Sequence, residues 1–218
     1  MSSVIVYPQR PLPEEAGARC ATIFIGGFGD WLTGRFSRVM DELPPWLPGL
    51  DEVRAYYHWD GDGFFADRCL TVRDEVDAFV EANPEAVLVF CGHSYGGSAA
   101  MYVVRHLQRR PVRLILATID AVGRRQDPCR APGVDVWFNA YLKESDTALD
   151  WIPKIGGRWG MRPDADRNMV ASGRRFDSRG RRYGHHRPAP FFLDTLEGAD
   201  VPLARMIGHA LGRGGALP

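Results

Sequence analysis

Serine, aspartate and histidine, the residue types that together make an activated hydroxyl nucleophile, occur in that order along this chain at positions that suit the task. Ser94 lies in Gly92-His93-Ser94-Tyr95-Gly96-Gly97, directly after the apolar run Val87-Leu88-Val89-Phe90-Cys91 and before Ser98, Ala99 and Ala100. In this setting G-x-S-x-G reads as a strand running into a sharp turn that opens a helix, which exposes the hydroxyl at the carboxyl edge of a sheet. Glycine is expected at 92 and 96 because side chains there would collide across the turn. A neutral serine is a weak nucleophile and needs a base in hydrogen-bond reach, oriented by an acid. Asp120 ends the run Leu114-Ile115-Leu116-Ala117-Thr118-Ile119, which places its carboxylate at the same sheet edge as Ser94. The base is expected among the later histidines. His185 and His186, in the loop Tyr183-Gly184-His185-His186-Arg187-Pro188, are the candidates, and spacing does not choose between them. His209 reads as a surface or packing residue of a terminal amphipathic helix, and His93 as a residue packed beneath the turn.

A second glycine-rich turn, Gly26-Gly27-Phe28-Gly29-Asp30, follows the early run Ile23-Phe24-Ile25. Its position suits an oxyanion hole, with one backbone N–H from Tyr95, directly after the serine, and one from Gly27 or Phe28. A dinucleotide fingerprint starting at Gly27 would need glycine where Leu32 stands, and no G-K-[ST] sequence occurs, so nucleotide binding is not expected. Asp60-Gly61-Asp62-Gly63 continues wrongly for a calcium loop, with Phe64 at a ligand position. His185-His186 lacks the i, i+4 spacing of a helical metal pair. No metal and no cofactor are expected, and the Asp-Gly repeat reads as a turn.

Positioning such groups requires a sheet whose carboxyl ends meet at one edge. β-rich runs recur at Val4–Tyr7, Ala21–Ile25, Glu52–Tyr57, Ala86–Cys91, Val112–Ile119 and Val134–Asn139. Helical spacing is read over Asp67–Ala82, Tyr95–Leu107 and Leu196–Leu211. The strands are near-continuous apolar runs, as expected where helices cover both faces of a parallel sheet. The predicted class is therefore a doubly wound, mostly parallel α/β domain over residues 1–218, with 142–190 as a small cap or set of active-site loops.

The composition of the 218 residues fits one globular domain: 27 Lys+Arg balance 27 Asp+Glu, and 45% of residues are hydrophobic. A net charge of zero argues against disorder and against nucleic-acid binding by bulk charge. Only Lys143 and Lys154 are lysines, and nine arginines gather between Arg158 and Arg187 beside the acids Asp164, Asp166 and Asp177. This stretch, with Trp151, Trp159 and Phe191-Phe192 nearby, is a candidate for peripheral contact with anionic lipid; the alternative is a solvated loop with packed aromatics. Cys20, Cys69, Cys91 and Cys129 show no metal or redox spacing and read as buried free thiols. No apolar run reaches membrane-spanning length and no signal peptide is visible, so a cytoplasmic protein is expected, any export needing a route without a cleaved signal.

Through Gly92-His93-Ser94-Tyr95-Gly96-Gly97, Thr118-Ile119-Asp120-Ala121-Val122 and the late His185-His186, the chain resembles the α/β-hydrolase superfamily of serine lipases and esterases over roughly residues 20–211. Ile25-Gly26-Gly27-Phe28-Gly29-Asp30 is similar to a lipase-like group that includes relatives of GPI inositol-deacylase lipases and some secreted bacterial lipase effectors. Asn139-Ala140-Tyr141 matches an Asn-x-Tyr of that group, while Ala121 stands where the group commonly has proline. The resemblance implies hydrolysis of a small-molecule or lipid ester through an acyl-enzyme. Thioesterase, acyltransferase or peptidase activity would use the same residues, and a non-catalytic binding protein of this fold is the alternative from another class.

Overall fold

Cys20–Gly26 forms strand β1, and all seven of its residues are buried because helices cover both sides of it. The computed structural model describes residues 7–13, 17–59, 65–123, 129–144 and 151–212. After β1 come α1 (Asp30–Thr33), α2 (Arg35–Glu42), β2 (Glu52–His58), α3 (Phe65–Ala82), β3 (Val87–His93), α4 (Tyr95–His106) and β4 (Arg113–Ile119). They are followed by β5 (Val136–Lys143), α5 (Trp151–Gly156), β6 (Arg167–Ser172), α6 (Ala189–Leu193) and α7 (Leu203–Gly212).

The strands form one six-stranded sheet in the order β2-β1-β3-β4-β5-β6, parallel at every pairing. Alternate side chains go to opposite faces. Cys20 and Phe24 of β1 join Phe36, Val39 and Met40 of α2 and Phe191, Phe192 and Ile207 of α6 and α7 on one side. Ala21, Ile23 and Ile25 join Val76 and Phe79 of α3 and Ala99, Ala100 and Val103 of α4 on the other. The doubly wound α/β class read from the sequence is the observed fold. Successive strands run outward in opposite directions from β1 and β3, so the crevice at their carboxyl ends is the switch point where such sheets place ligands.

Two elements differ from expectation inside and after the stretch 142–190. β6 is an edge strand whose burial alternates, with only Met169 and Ala171 fully in the core, so it never reads as an apolar run. The terminal helix starts at Leu203, not Leu196, because Gly198 takes φ 89° and Pro202 stands at the helix start. Of the expected strand Val4–Tyr7, the first three residues lie outside the described residues, as do Asp60–Gly63, and Tyr7 is not in a strand. Cys20 and Cys91 are buried free thiols as read, but Cys129 is exposed.

Candidate active site

Ser94 follows β3 directly and sits at φ 57°, ψ −129°, a conformation that L residues rarely adopt. Its neighbours hold it there. The Ser94 N–H donates to the Ile119 carbonyl at 3.0 Å, and the Ser94 carbonyl accepts from Gly97 and Val122 N–H, each at 2.9 Å. The turn has no room for side chains: a Cβ at Gly96 would lie 2.0 Å from the Ile25 carbonyl oxygen, and one at Gly92 2.4 Å from the Gly96 oxygen. The G-x-S-x-G spacing is thus a packing requirement between β1, β3 and α4.

His185 reaches Ser94 from the loop after β6. Its Nε2 is 2.8 Å from Ser94 Oγ, and its Nδ1 is 2.6 Å from Asp120 Oδ2. All three residues are buried. Asp120 is held at φ 41° just past β4, with its N–H on the Ala140 carbonyl at 2.7 Å. Its second oxygen, Oδ1, accepts from Leu142 N–H at 3.1 Å and lies 3.1 Å from Nε of Arg158. Burial pushes the Asp120 carboxyl upward. The His185 hydrogen bond and charge, the Arg158 guanidinium and the Leu142 N–H outweigh this and hold it below the usual carboxylate range. An ionised Asp120 accepts the Nδ1 proton of His185 in either charge state of the ring, and in the uncharged imidazole that pairing leaves Nε2 as an acceptor for the Ser94 hydroxyl proton.

Of the two histidines left open by sequence, the structure brings His185 to Ser94 and Asp120. His186 is half-buried at the edge of the cleft, and its carbonyl accepts from Arg35 at 3.3 Å. His209 is exposed on α7. Gly27 is brought against the serine: a Cβ there would lie 2.5 Å from Ser94 Cβ. Among the described residues the N–H groups of Gly27, Phe28 and Tyr95 donate to no backbone carbonyl outside a helix or strand. A cleft of about 260 Å³ opens above Ser94 and His185, walled by Phe28, Leu32, Thr33 and Arg35. Phe28 and Leu32 are large apolar side chains left exposed, at 55% and 46%. Trp59 stacks on Tyr95 with ring centroids 4.5 Å apart, next to Phe28.

Three supporting residues were not singled out for these roles by sequence. Asp30 is buried and accepts from Phe36 N–H at 3.0 Å and from the Tyr56 hydroxyl, pinning the Gly26–Gly29 turn. Arg158 reads in sequence as one of a basic cluster, yet an isolated bridge between Val122 and Arg158 delivers it to Asp120. His93 donates from Nε2 to the His185 carbonyl at 2.8 Å, and its ring packs on Phe36 with centroids 5.6 Å apart. Trp159, Phe191 and Phe192, read as candidate lipid-facing aromatics, are buried in the core instead, and of that set only Trp151 is exposed. Asn139 is also buried, bonded to Thr118, Gly160 and Asn168 and not to Asp120.

His93 makes the acid stability of the fold predictable. Burial foremost, and then the nearby His185, push it down from 6.5 to about 3. Its unfolded form therefore takes up a proton as pH falls below 6.5, while the folded form stays neutral. Its stabilising effect is complete above that pH and is lost down to about pH 3, at a slope of roughly 1.4 kcal/mol per pH unit. Urea unfolding measured from pH 6 to pH 4 is expected to lose stability with falling pH less steeply in His93→Asn than in the wild type, by about one proton.

No family model matches the chain, and no curated protein matches it. Among solved structures, the chain is similar to a protein described as a "putative cell surface hydrolase" of Lactobacillus plantarum WCFS1, at 11% identity and a TM-score of 0.47. The match covers 93% of this chain and 95% of that one. The parallel doubly wound sheet and the strand–turn–helix around Ser94 define an α/β-hydrolase-like domain. Among the described residues, no helix is long and apolar enough to cross a membrane.

Proposed function

We propose that the protein is a serine hydrolase that cleaves carboxylic esters through an acyl-enzyme. The reading is carried by one observation, the continuous hydrogen-bonded path from Ser94 Oγ through His185 to an ionised, doubly held Asp120. His185 Nε2 takes the hydroxyl proton as Ser94 Oγ bonds to the ester carbonyl carbon. Negative charge gathers on the carbonyl oxygen, where the N–H of Tyr95 and that of Gly27 or Phe28 stabilise it. His185 then gives its proton to the leaving alcohol oxygen as that bond breaks. Water loses a proton to His185 as it bonds to the acyl carbon, and His185 returns that proton to Ser94 Oγ as the acyl bond breaks, which releases the acid and the free serine.

The cleft supports a small substrate. Its volume, about 260 Å³, lies below the range of roughly 300–1,000 Å³ typical of ligand pockets, and Phe28 and Leu32 offer an apolar wall to a short acyl chain. Turnover of p-nitrophenyl butyrate, butyryl thioester and a peptide anilide by the full chain tests the reaction class. The ester is expected to be the best substrate; a thioester favoured over it by tenfold or more would move the assignment to a thioesterase, and no turnover of any would favour a binding protein.

A further inference from the structure

The arginines that the sequence groups between 158 and 187 separate in space. Arg158 lies against Asp120, Arg162 over the Trp159 ring at 5.4 Å, and Arg182 over Phe176 at 5.8 Å, while Arg174 pairs with Glu144 at 3.2 Å. Three others share one surface. Arg179, Arg181 and Arg187 converge with Arg35 and Arg38 of α2 on a depression of about 420 Å³, in which Glu42 is the only acid among the lining residues. Arg181 is 3.4 Å from Asp177. Among the described residues, the side chains of Arg35, Arg38, Arg179 and Arg187 pair with no carboxylate; Arg35, Arg38 and Arg187 donate only to the carbonyls of His186, Thr33 and Arg182.

This depression meets the Ser94 cleft, because Arg35 and His186 line both. Five guanidinium groups, one of them paired with Asp177, against the single lining carboxylate of Glu42 leave a net positive field in a concave site, which concentrates anions. Planar guanidinium forks also match the oxygen geometry of phosphate and carboxylate. We propose that the depression binds an anionic group, phosphate or carboxylate, carried by the ester that Ser94 attacks. The proposal rests on the serine-hydrolase reading for the attack, while anion binding itself does not require it. A soluble phosphorylated ester and an anionic lipid headgroup present the same chemistry to these arginines.

The test compares kcat/KM for monobutyrin with that for butyryl glycerol phosphate, which share the acyl group and the bond cleaved. The phosphorylated ester is expected to be preferred by about tenfold or more, and the preference to shrink at high salt. In Arg38→Gln/Arg179→Gln the ratio is expected to fall toward one, and Arg179→Gln/Arg187→Gln repeats the test without disturbing the Arg38 bond to Thr33. Inorganic phosphate, followed by calorimetry, is expected to bind the wild-type chain at least about tenfold more tightly than either double variant, whether or not an ester is turned over. Sedimentation with phosphatidylcholine vesicles, with and without phosphatidylglycerol, separates the sources. Binding only with phosphatidylglycerol points to a headgroup, and preference for the soluble ester without vesicle binding points to a soluble anion. Equal use of the two esters by the wild type, or phosphate affinity and ester preference unchanged in both double variants, would overturn the proposal. Absence of ester turnover with phosphate binding intact would overturn the hydrolase reading alone.

Discussion

Ser94→Ala is expected to lower kcat for p-nitrophenyl butyrate by roughly 10⁴- to 10⁶-fold while leaving the fold intact. The size follows from what is removed. Among the described residues, Ser94 Oγ is the hydroxyl bonded to His185 Nε2, and without it the proposed oxyanion donors can only assist attack by water. The strained backbone at φ 57° belongs to the glycine turn and not to the hydroxyl, and alanine occupies the same volume minus one oxygen. Unfolding by urea should therefore differ little between the two proteins, so a lost activity reports lost chemistry.

Asp120→Asn is expected to cost about 10⁴-fold in kcat. The two carboxylate oxygens have unlike surroundings: Oδ1 faces the Leu142 N–H and the Arg158 guanidinium, both positive, and Oδ2 faces His185. An asparagine in this site keeps its oxygen on the Leu142 and Arg158 side and turns its NH2 toward His185. That NH2 donates to Nδ1, so the imidazole proton moves to Nε2, where it opposes acceptance of the Ser94 proton. The geometry survives and the tautomer is wrong. Steady-state kinetics with a matched urea curve check this, and a variant retaining more than a tenth of wild-type kcat would mean that Asp120 does not set the tautomer.

The glycine turn was legible in the sequence because it follows from contact distances. Ile25, Gly92, Gly96 and Gly97 come so close that side chains are excluded, and that exclusion is written in residue types. Asp120 was legible because parallel strands end at one edge. The choice of His185 over His186 was not, since it depends on the His93 bond to the His185 carbonyl and the Arg35 bond to the His186 carbonyl, two long-range contacts with no local pattern. Arg158 was hidden for the same reason, its role arising from a bridge to Val122 across a gap of 36 residues. β6 was missed because an edge strand needs only one apolar face, and two inward residues make no run. The run of arginines in the sequence does not show its division in space: Arg158, Arg162, Arg174 and Arg182 hold a carboxylate or an aromatic ring, while Arg179, Arg181 and Arg187 complete a surface to which Arg35 and Arg38, far off in sequence, contribute.

Under the proposed chemistry, Ser94 carries the covalent intermediate and His185 is its base. Intact-protein and peptide mass spectrometry after reaction with a fluorophosphonate ester measures this directly. A single adduct on the peptide carrying Ser94, absent in Ser94→Ala and strongly slowed in His185→Ala, is the predicted result. Labelling that persists in Ser94→Ala, or a wild-type chain that takes up no adduct, would contradict it.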